Sequence, residues 1–114
     1  MEKVTNENFD ERVRGAIQPL MLVFHAPWCQ ASAQLLPDLE RIDQAVKNHL
    51  LIALVDIEED EELAEPYRIV SLPTILCVYR GRIKKRLVGT RPYPELAAEV
   101  NAFLEECVRI AKQG

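Results

Sequence analysis

The residues best placed to do chemistry surround Cys29, in residues 24–32, which read FHAPWCQAS. The apolar run before them, residues 20–24, is typical of a strand buried on both faces, and a helix is predicted to begin at about Gln30. At such a junction the first helical N–H groups are unpaired and the positive end of the helix dipole faces the cysteine, which favours thiolate. We therefore predict a reactive Cys29 with a lowered pKa, beside Trp28 as a wall for a substrate, rather than a buried inert thiol.

A proline at the entrance of a later strand is the second feature that points to chemistry. Pro73 lies in residues 70–74, which read VSLPT, and follows Cys29 by forty-four residues. Proline cannot donate a ladder hydrogen bond, and Leu72–Pro73 is a candidate for a cis peptide bond. We expect the backbone of Leu72 to face solvent, where an extended peptide can pair with it.

The elements that must position these residues alternate between strand and helix over 114 residues, a length typical of one domain, residues 1–114. The order β-α-β-α-β-α-β-β-α predicts an α/β fold in which four helices flank a central mixed sheet of five strands. The predicted helices are residues 5–14, 30–48, the acidic run 58–62, and 93–111. Bounds are predicted for four of the five strands, residues 20–24, 50–56, 74–79 and 83–88, the last two joined by a hairpin turn at Arg80 and Gly81.

Composition excludes several classes of function. The net charge is −4 and the pI is about 5.2, which argues against broad capture of nucleic acid. The longest apolar run has six residues, too short to span a membrane. Seven charges in the first fourteen residues are not typical of a secretory signal. Three scattered cysteines predict neither a disulfide framework nor a metal site, and their odd number favours a reducing compartment such as the cytoplasm. We also expect a monomer without a cofactor.

Together these motifs resemble the thioredoxin family. The matching residues keep thioredoxin spacing from about Val4 to Gly89; they are Ala26-Pro27-Trp28-Cys29, Pro37, Val55-Asp56, Leu72-Pro73-Thr74 and Val88-Gly89. The resemblance implies the thioredoxin fold, Cys29 as the attacking thiolate and a cis Pro73. It also implies a peptide groove, which would be lined by Trp28, Leu72, Pro73, Val88 and Gly89.

Three departures from the family pattern all concern the resolving thiol and the residues that handle its proton. Thioredoxins carry Cys-Gly-Pro-Cys, whereas this chain reads Cys29-Gln30-Ala31-Ser32, so a hydroxyl replaces the resolving thiol. The buried acid that handles the proton of that thiol in the family aligns with Val23, and a nearby lysine aligns with Leu54. This pattern implies a monothiol variant. Loss of the acid also removes a negative charge, which should lower the pKa of Cys29 further.

Four other features each have two interpretations. His25 could stabilise the thiolate or shuttle a proton, but we favour a ring that fills an aromatic site and bonds locally. Cys77 and Cys107 are predicted to be core residues rather than resolving thiols. The acidic run, residues 58–62, is interpreted as a solvated first turn rather than a docking patch. Five cations between Arg80 and Arg86 are interpreted as protection of an edge strand rather than an anion site.

Two hypotheses for function follow. In the first, Cys29 attacks a disulfide or glutathionylated cysteine of a protein or peptide and forms a mixed disulfide, assisted by Ser32 and, under the first interpretation of its ring, by His25. A second thiol, with glutathione as a possible co-substrate, then releases it; isomerisation and deglutathionylation fit, efficient dithiol reduction does not. In the second, the chain is a binding or assembly module whose groove at Trp28 and Pro73 holds a partner without redox turnover.

Overall fold

The computed structural model describes residues 1–113, which contain five strands in one mixed sheet. The strands are β1 (Glu2–Lys3), β2 (Leu20–His25), β3 (Leu51–Asp56), β4 (Thr74–Tyr79) and β5 (Arg82–Val88). They lie in the order β1-β3-β2-β4-β5. The β1, β3 and β2 strands run parallel, whereas β4 is antiparallel to both β2 and β5. The predicted α/β fold with a mixed five-stranded sheet is confirmed.

Two long helices cover one face of the sheet. They are α1 (Gln30–Ala45), which contains Pro37, and α2 (Tyr93–Lys112). Side chains alternate along a strand, so Met21 and Val23 of β2 pack into the core beneath these helices, while Leu22 and Phe24 pack on the opposite face. The prediction for α2 was accurate to one residue, whereas α1 ends three residues before the predicted boundary.

The opposite face is covered by short helical segments. A single π-helical turn, Asp10–Arg14, stands within the first predicted helix. The third predicted helix, residues 58–62, is wrong in its position and type: the segment after β3 is a turn followed by two 3-10 helices, Glu61–Leu63 and Glu65–Tyr67.

The carboxylate of Asp56 caps one helical turn directly after β3. Its Oδ1 accepts hydrogen bonds from the N–H groups of Glu58 at 2.8 Å and Glu59 at 3.4 Å, and its backbone oxygen accepts from the N–H of Asp60 at 2.9 Å. This turn does not continue as an α-helix. Further along, Pro66 has no N–H to continue a helix. The acidic run therefore starts as a turn with Glu58 and Glu59 exposed and ends in the first 3-10 helix. Asp60 between them is buried, and its Oδ1 accepts from the N–H of Asn6 at 3.2 Å.

The β4–β5 hairpin closes through Arg80 and Gly81, as predicted. Both residues have positive φ, 51° and 77°, which the tight two-residue hairpin turn requires and which glycine adopts without strain. The β5 strand lies at the edge of the sheet, where Lys85 forms an ion pair with Glu99 at 3.0 Å. The Arg86 guanidinium donates to the backbone oxygen of Tyr67 at 2.7 Å. These contacts agree with the edge-strand interpretation of the basic hairpin.

Candidate active site

Cys29 caps the N-terminus of α1. The β2 strand ends at His25, and a turn brings the N–H of Cys29 to the oxygen of Ala26 at 3.1 Å. Cys29 has an extended backbone (φ −91°, ψ 113°), and its oxygen accepts from the N–H of Ala33 at 3.1 Å, the first helical hydrogen bond. The predicted strand-to-helix position of Cys29 is therefore correct.

The pKa of the partly exposed Cys29 thiol is lowered. The hydroxyl of Ser32 is the largest cause, followed by the backbone N–H of Ser32, and the N–H of Ala31 acts in the same direction. Burial of the thiol opposes them and is outweighed. The thiol can also donate to the oxygen of Leu72, but at 3.9 Å this contact is weak. The direction agrees with the prediction, and the largest single cause is the Ser32 hydroxyl, ahead of either helical N–H group taken alone.

Ser32 lies in the first turn of α1, and its side chain is buried, with a fractional exposure of 1%. Within residues 1–113 its Oγ has no hydrogen-bond partner of ordinary geometry. The hydroxyl nevertheless favours the thiolate of Cys29, so it lies close to the sulfur without a well-formed bond to the neutral thiol. This position fits the expected assistance of Ser32 to the Cys29 thiolate.

The loop before β4 faces Cys29. The Leu72–Pro73 peptide bond is cis, and the oxygen of Leu72 is the group that faces the Cys29 sulfur. The oxygen of Pro73 accepts from the N–H of Gly89 at 2.8 Å, which ties the end of β5 to the loop. Gly89 has φ 79°, which few other residues adopt easily. Thr74 is directly opposite Val88 in the β4–β5 ladder.

Apolar side chains are exposed around this loop. Trp28 is 66% exposed and Val88 is 50% exposed, and both were predicted to line the groove. Val70, two residues before Leu72, is 93% exposed and was missed by the sequence analysis. Its place in the loop before the proline was the only available signal, because exposure of one apolar residue cannot be read from the sequence.

His25 makes no hydrogen bond to Cys29 in residues 1–113. It is half-buried at the end of β2, opposite Asp56 in the ladder. Burial lowers the pKa of His25, opposed by the negative charge of Asp56, while Lys3 lowers it further. Burial therefore favours the neutral imidazole near pH 7. In residues 1–113 the ring makes no side-chain hydrogen bond, so the predicted local hydrogen bond is not formed.

The floor beneath the first turns of α1 is apolar. Val23 and Leu54 are direct neighbours across the β2–β3 pair. Val23 is fully buried in the core under α1, and Leu54 packs against the same core. The two positions that the resemblance assigns to an acid and a lysine therefore lie side by side and supply no titratable group.

Cys77 and Cys107 lie in the core between the sheet and the two long helices. Burial raises the pKa of Cys77 to about 12 and that of Cys107 to about 11. Cys77 is opposite Met21, four residues before the end of β2, which corresponds to about 13 Å along the strand. Their assignment as core residues is confirmed, and all three cysteines are free.

Residues 1–113 include no group of three or more His, Cys, Asp or Glu side chains arranged to hold a metal ion. None of the helices in that range is long and apolar enough to cross a membrane.

Comparison with known proteins shows which family the chain is similar to. A family model described as thioredoxin matches residues 1–102. The chain is 31% identical to a thioredoxin of Bacillus subtilis over 102 residues, which are 90% of this chain and 96% of that protein. Identity to a thioredoxin of Alicyclobacillus acidocaldarius is 28% over 102 residues, with the same coverage. A thioredoxin of Mycobacterium tuberculosis is 30% identical over 99 residues, 87% of this chain and 85% of that protein.

These matches include both sides of the candidate site, the turn that carries Cys29 and the loop that carries Pro73. A match of the family model over residues 1–102 extends from β1 into α2. The chain therefore belongs to the thioredoxin family.

Proposed function

We propose that this protein carries out thiol–disulfide exchange with Cys29 as its single active thiol. Membership of the thioredoxin family supports thiol–disulfide oxidoreductase chemistry in general. The observation that carries the monothiol proposal is the first turn of α1. There a cysteine with a lowered pKa caps the helix, and the residue three positions on is Ser32 rather than a second cysteine.

The reaction begins when the Cys29 thiolate attacks one sulfur of a substrate disulfide. An S–S bond forms to Cys29, the substrate S–S bond breaks, and the other sulfur leaves as a thiolate. The hydroxyl of Ser32 cannot displace the bound sulfur. It is far too weak an acid to lose its proton at neutral pH, so the alkoxide that would act as the nucleophile does not form. Release therefore requires a second thiol from the substrate or from glutathione, which a reducing compartment such as the cytoplasm would supply.

The loop at Leu72 and Pro73 supports a protein or peptide as the substrate. An extended peptide can pair with the backbone of Leu72, whose oxygen already lies 3.9 Å from the Cys29 sulfur. The exposed side chains of Trp28, Val70 and Val88 provide apolar surface on which its side chains can pack. Such a cycle fits disulfide isomerisation and deglutathionylation.

The same exposed apolar side chains favour one alternative, a binding module that holds a partner without turnover. The Cys29→Ala variant separates the two functions. It removes the nucleophile and leaves Trp28, Val70 and Val88 in place. A module keeps its partner and its cellular role in this variant, whereas an exchange protein loses both covalent capture and function.

The direct test is reaction of the full chain with oxidised glutathione, followed by intact mass and peptide mapping. We expect a one-to-one adduct at Cys29 that accumulates, because no internal thiol removes it. The Ser32→Cys variant should lose most of that adduct to an internal disulfide. In an insulin reduction assay coupled to thioredoxin reductase, the wild type should show little turnover. Turnover comparable to that of a dithiol thioredoxin, or no adduct, would refute the proposal.

A further inference from the structure

The hydroxyl of Ser32 is a buried donor that lies beside the Cys29 sulfur. Its side chain is 1% exposed, and in residues 1–113 its Oγ makes no well-formed hydrogen bond to the neutral thiol, although it favours the thiolate. Buried polar groups are nearly always satisfied, because an unpaired donor costs about 1–3 kcal/mol. A buried donor in this position can bind an oxygen atom that the sulfur acquires.

The groups around the Cys29 sulfur have complementary hydrogen-bonding character. The Ser32 hydroxyl and the N–H groups of Ala31 and Ser32 are donors that favour the thiolate. The backbone oxygen of Leu72 is an acceptor, 3.9 Å from Sγ. A sulfur that carries one added oxygen suits both kinds of group, since that oxygen accepts from the donors and its proton can be donated to Leu72.

We propose that Cys29 reacts with hydroperoxides and is retained as a sulfenic acid whose oxygen is bound by the Ser32 hydroxyl. The thiolate attacks the terminal oxygen of the hydroperoxide, so that an S–O bond forms and the O–O bond breaks. The sulfur loses two electrons, and the second oxygen takes them, gains a proton from solvent and leaves as water or an alcohol. A partly exposed sulfur is open to such small oxidants.

Retention follows from the absence of a nearby thiol. A sulfenic acid normally condenses with a second thiol, but Cys77 and Cys107 are buried in the core. Cys77 is also opposite Met21, four residues before the end of β2 that leads to Cys29. Return to the thiol rests on the proposed exchange function. An external thiol such as glutathione replaces the hydroxyl, releasing water and leaving a mixed disulfide, and a second thiol then frees Cys29.

The test uses hydrogen peroxide, with dimedone to trap the sulfenic acid and intact mass to detect one added oxygen. At pH 7 we expect Cys29 to oxidise about tenfold faster than free cysteine, of which only a few per cent is thiolate. The Ser32→Ala variant should lose its sulfenic acid to higher oxidation states about fivefold faster, because one hydrogen bond to the oxygen is missing. Removing an unpaired hydroxyl should leave this variant folded, which its urea unfolding curve verifies.

The Ser32→Cys variant is the positive control, since its sulfenic acid should condense at once to an internal disulfide that dimedone cannot label. The proposal fails if Cys29 oxidises no faster than free cysteine, or if wild type and Ser32→Ala retain the sulfenic acid equally long. Oxidised glutathione without peroxide tests the exchange function separately. An adduct there with no sulfenic acid overturns this inference alone, whereas a trapped sulfenic acid without an adduct overturns the exchange proposal alone.

Discussion

Cys29 and the core pair Cys77 and Cys107 are the same side chain in opposite surroundings. The Cys29 sulfur is partly exposed beside a hydroxyl and helical N–H groups, and its pKa is lowered. Cys77 and Cys107 are buried in the core, and burial raises the pKa of Cys77 to about 12 and that of Cys107 to about 11. The position of a thiol in the fold therefore decides its reactivity. In the core, desolvation raises the thiol pKa, whereas at the helix terminus nearby hydrogen-bond donors lower it.

The largest expected effect comes from removing the reactive member of the comparison. Cys29→Ala should abolish the adduct with oxidised glutathione completely, because the remaining thiols are neutral and enclosed. The matched control is the double variant Cys77→Ala/Cys107→Ala, which should form the adduct at close to the wild-type rate. Mass spectrometry of both proteins measures this, and an adduct on the Cys29→Ala protein would show that a core thiol is accessible.

Stability should show the reverse order. Cys77→Ser places a hydroxyl among apolar side chains and should lower the free energy of unfolding by about 1–3 kcal/mol. The same change at the partly exposed Cys29 should cost less than about 0.5 kcal/mol. Urea unfolding of the two serine variants gives the comparison. Equal losses would mean that the two sites do not differ in burial as described.

Ser32→Ala tests the group that contributes most to the reactivity of Cys29. Loss of the hydroxyl should raise the pKa of Cys29, and the rate of alkylation by iodoacetamide at pH 7 should fall about fivefold. Urea unfolding at the same pH verifies that the variant is folded. An unchanged dependence of alkylation on pH would assign the low pKa to the helix terminus alone.

The smallest effect concerns His25, whose pKa is lowered chiefly by burial. As the pH falls from 7 to 5, the unfolded chain binds a proton at this residue before the folded protein does, so the folded protein loses stability. We expect a loss below about 1 kcal/mol in the wild type that is absent from His25→Phe. Urea unfolding at both pH values measures it. A gain of stability at low pH instead would mean that a nearby anion, such as the thiolate, holds His25 protonated.

Much of this fold could be predicted because its elements have local signals. The hairpin turn at Arg80 and Gly81 and helix α2 follow from spacing and periodicity, and both were placed within a residue. The third helix was misplaced because Asp60, in the middle of the acidic run, is buried and accepts from the N–H of Asn6, a contact between residues far apart in the chain. The acidic pattern alone could not indicate it.

At the candidate site the position of Cys29 was predictable, but the relative size of the contributions to its pKa was not. A strand that ends before a helix places the cysteine at a helix terminus, and this motif is visible in sequence. The orphan state of the Ser32 hydroxyl depends on which groups surround it in three dimensions. The exposure of Val70 is equally a result of how its loop folds.

The most direct test of the monothiol account is the decay of the Cys29–glutathione adduct as reduced glutathione is increased. The adduct would be prepared with oxidised glutathione, freed of excess reagent and followed by intact mass. Because no internal thiol can displace the bound sulfur, the decay rate should rise in proportion to added glutathione and approach zero without it. A decay rate independent of added glutathione would contradict the account, since it would mean that Cys77 or Cys107 reaches Cys29.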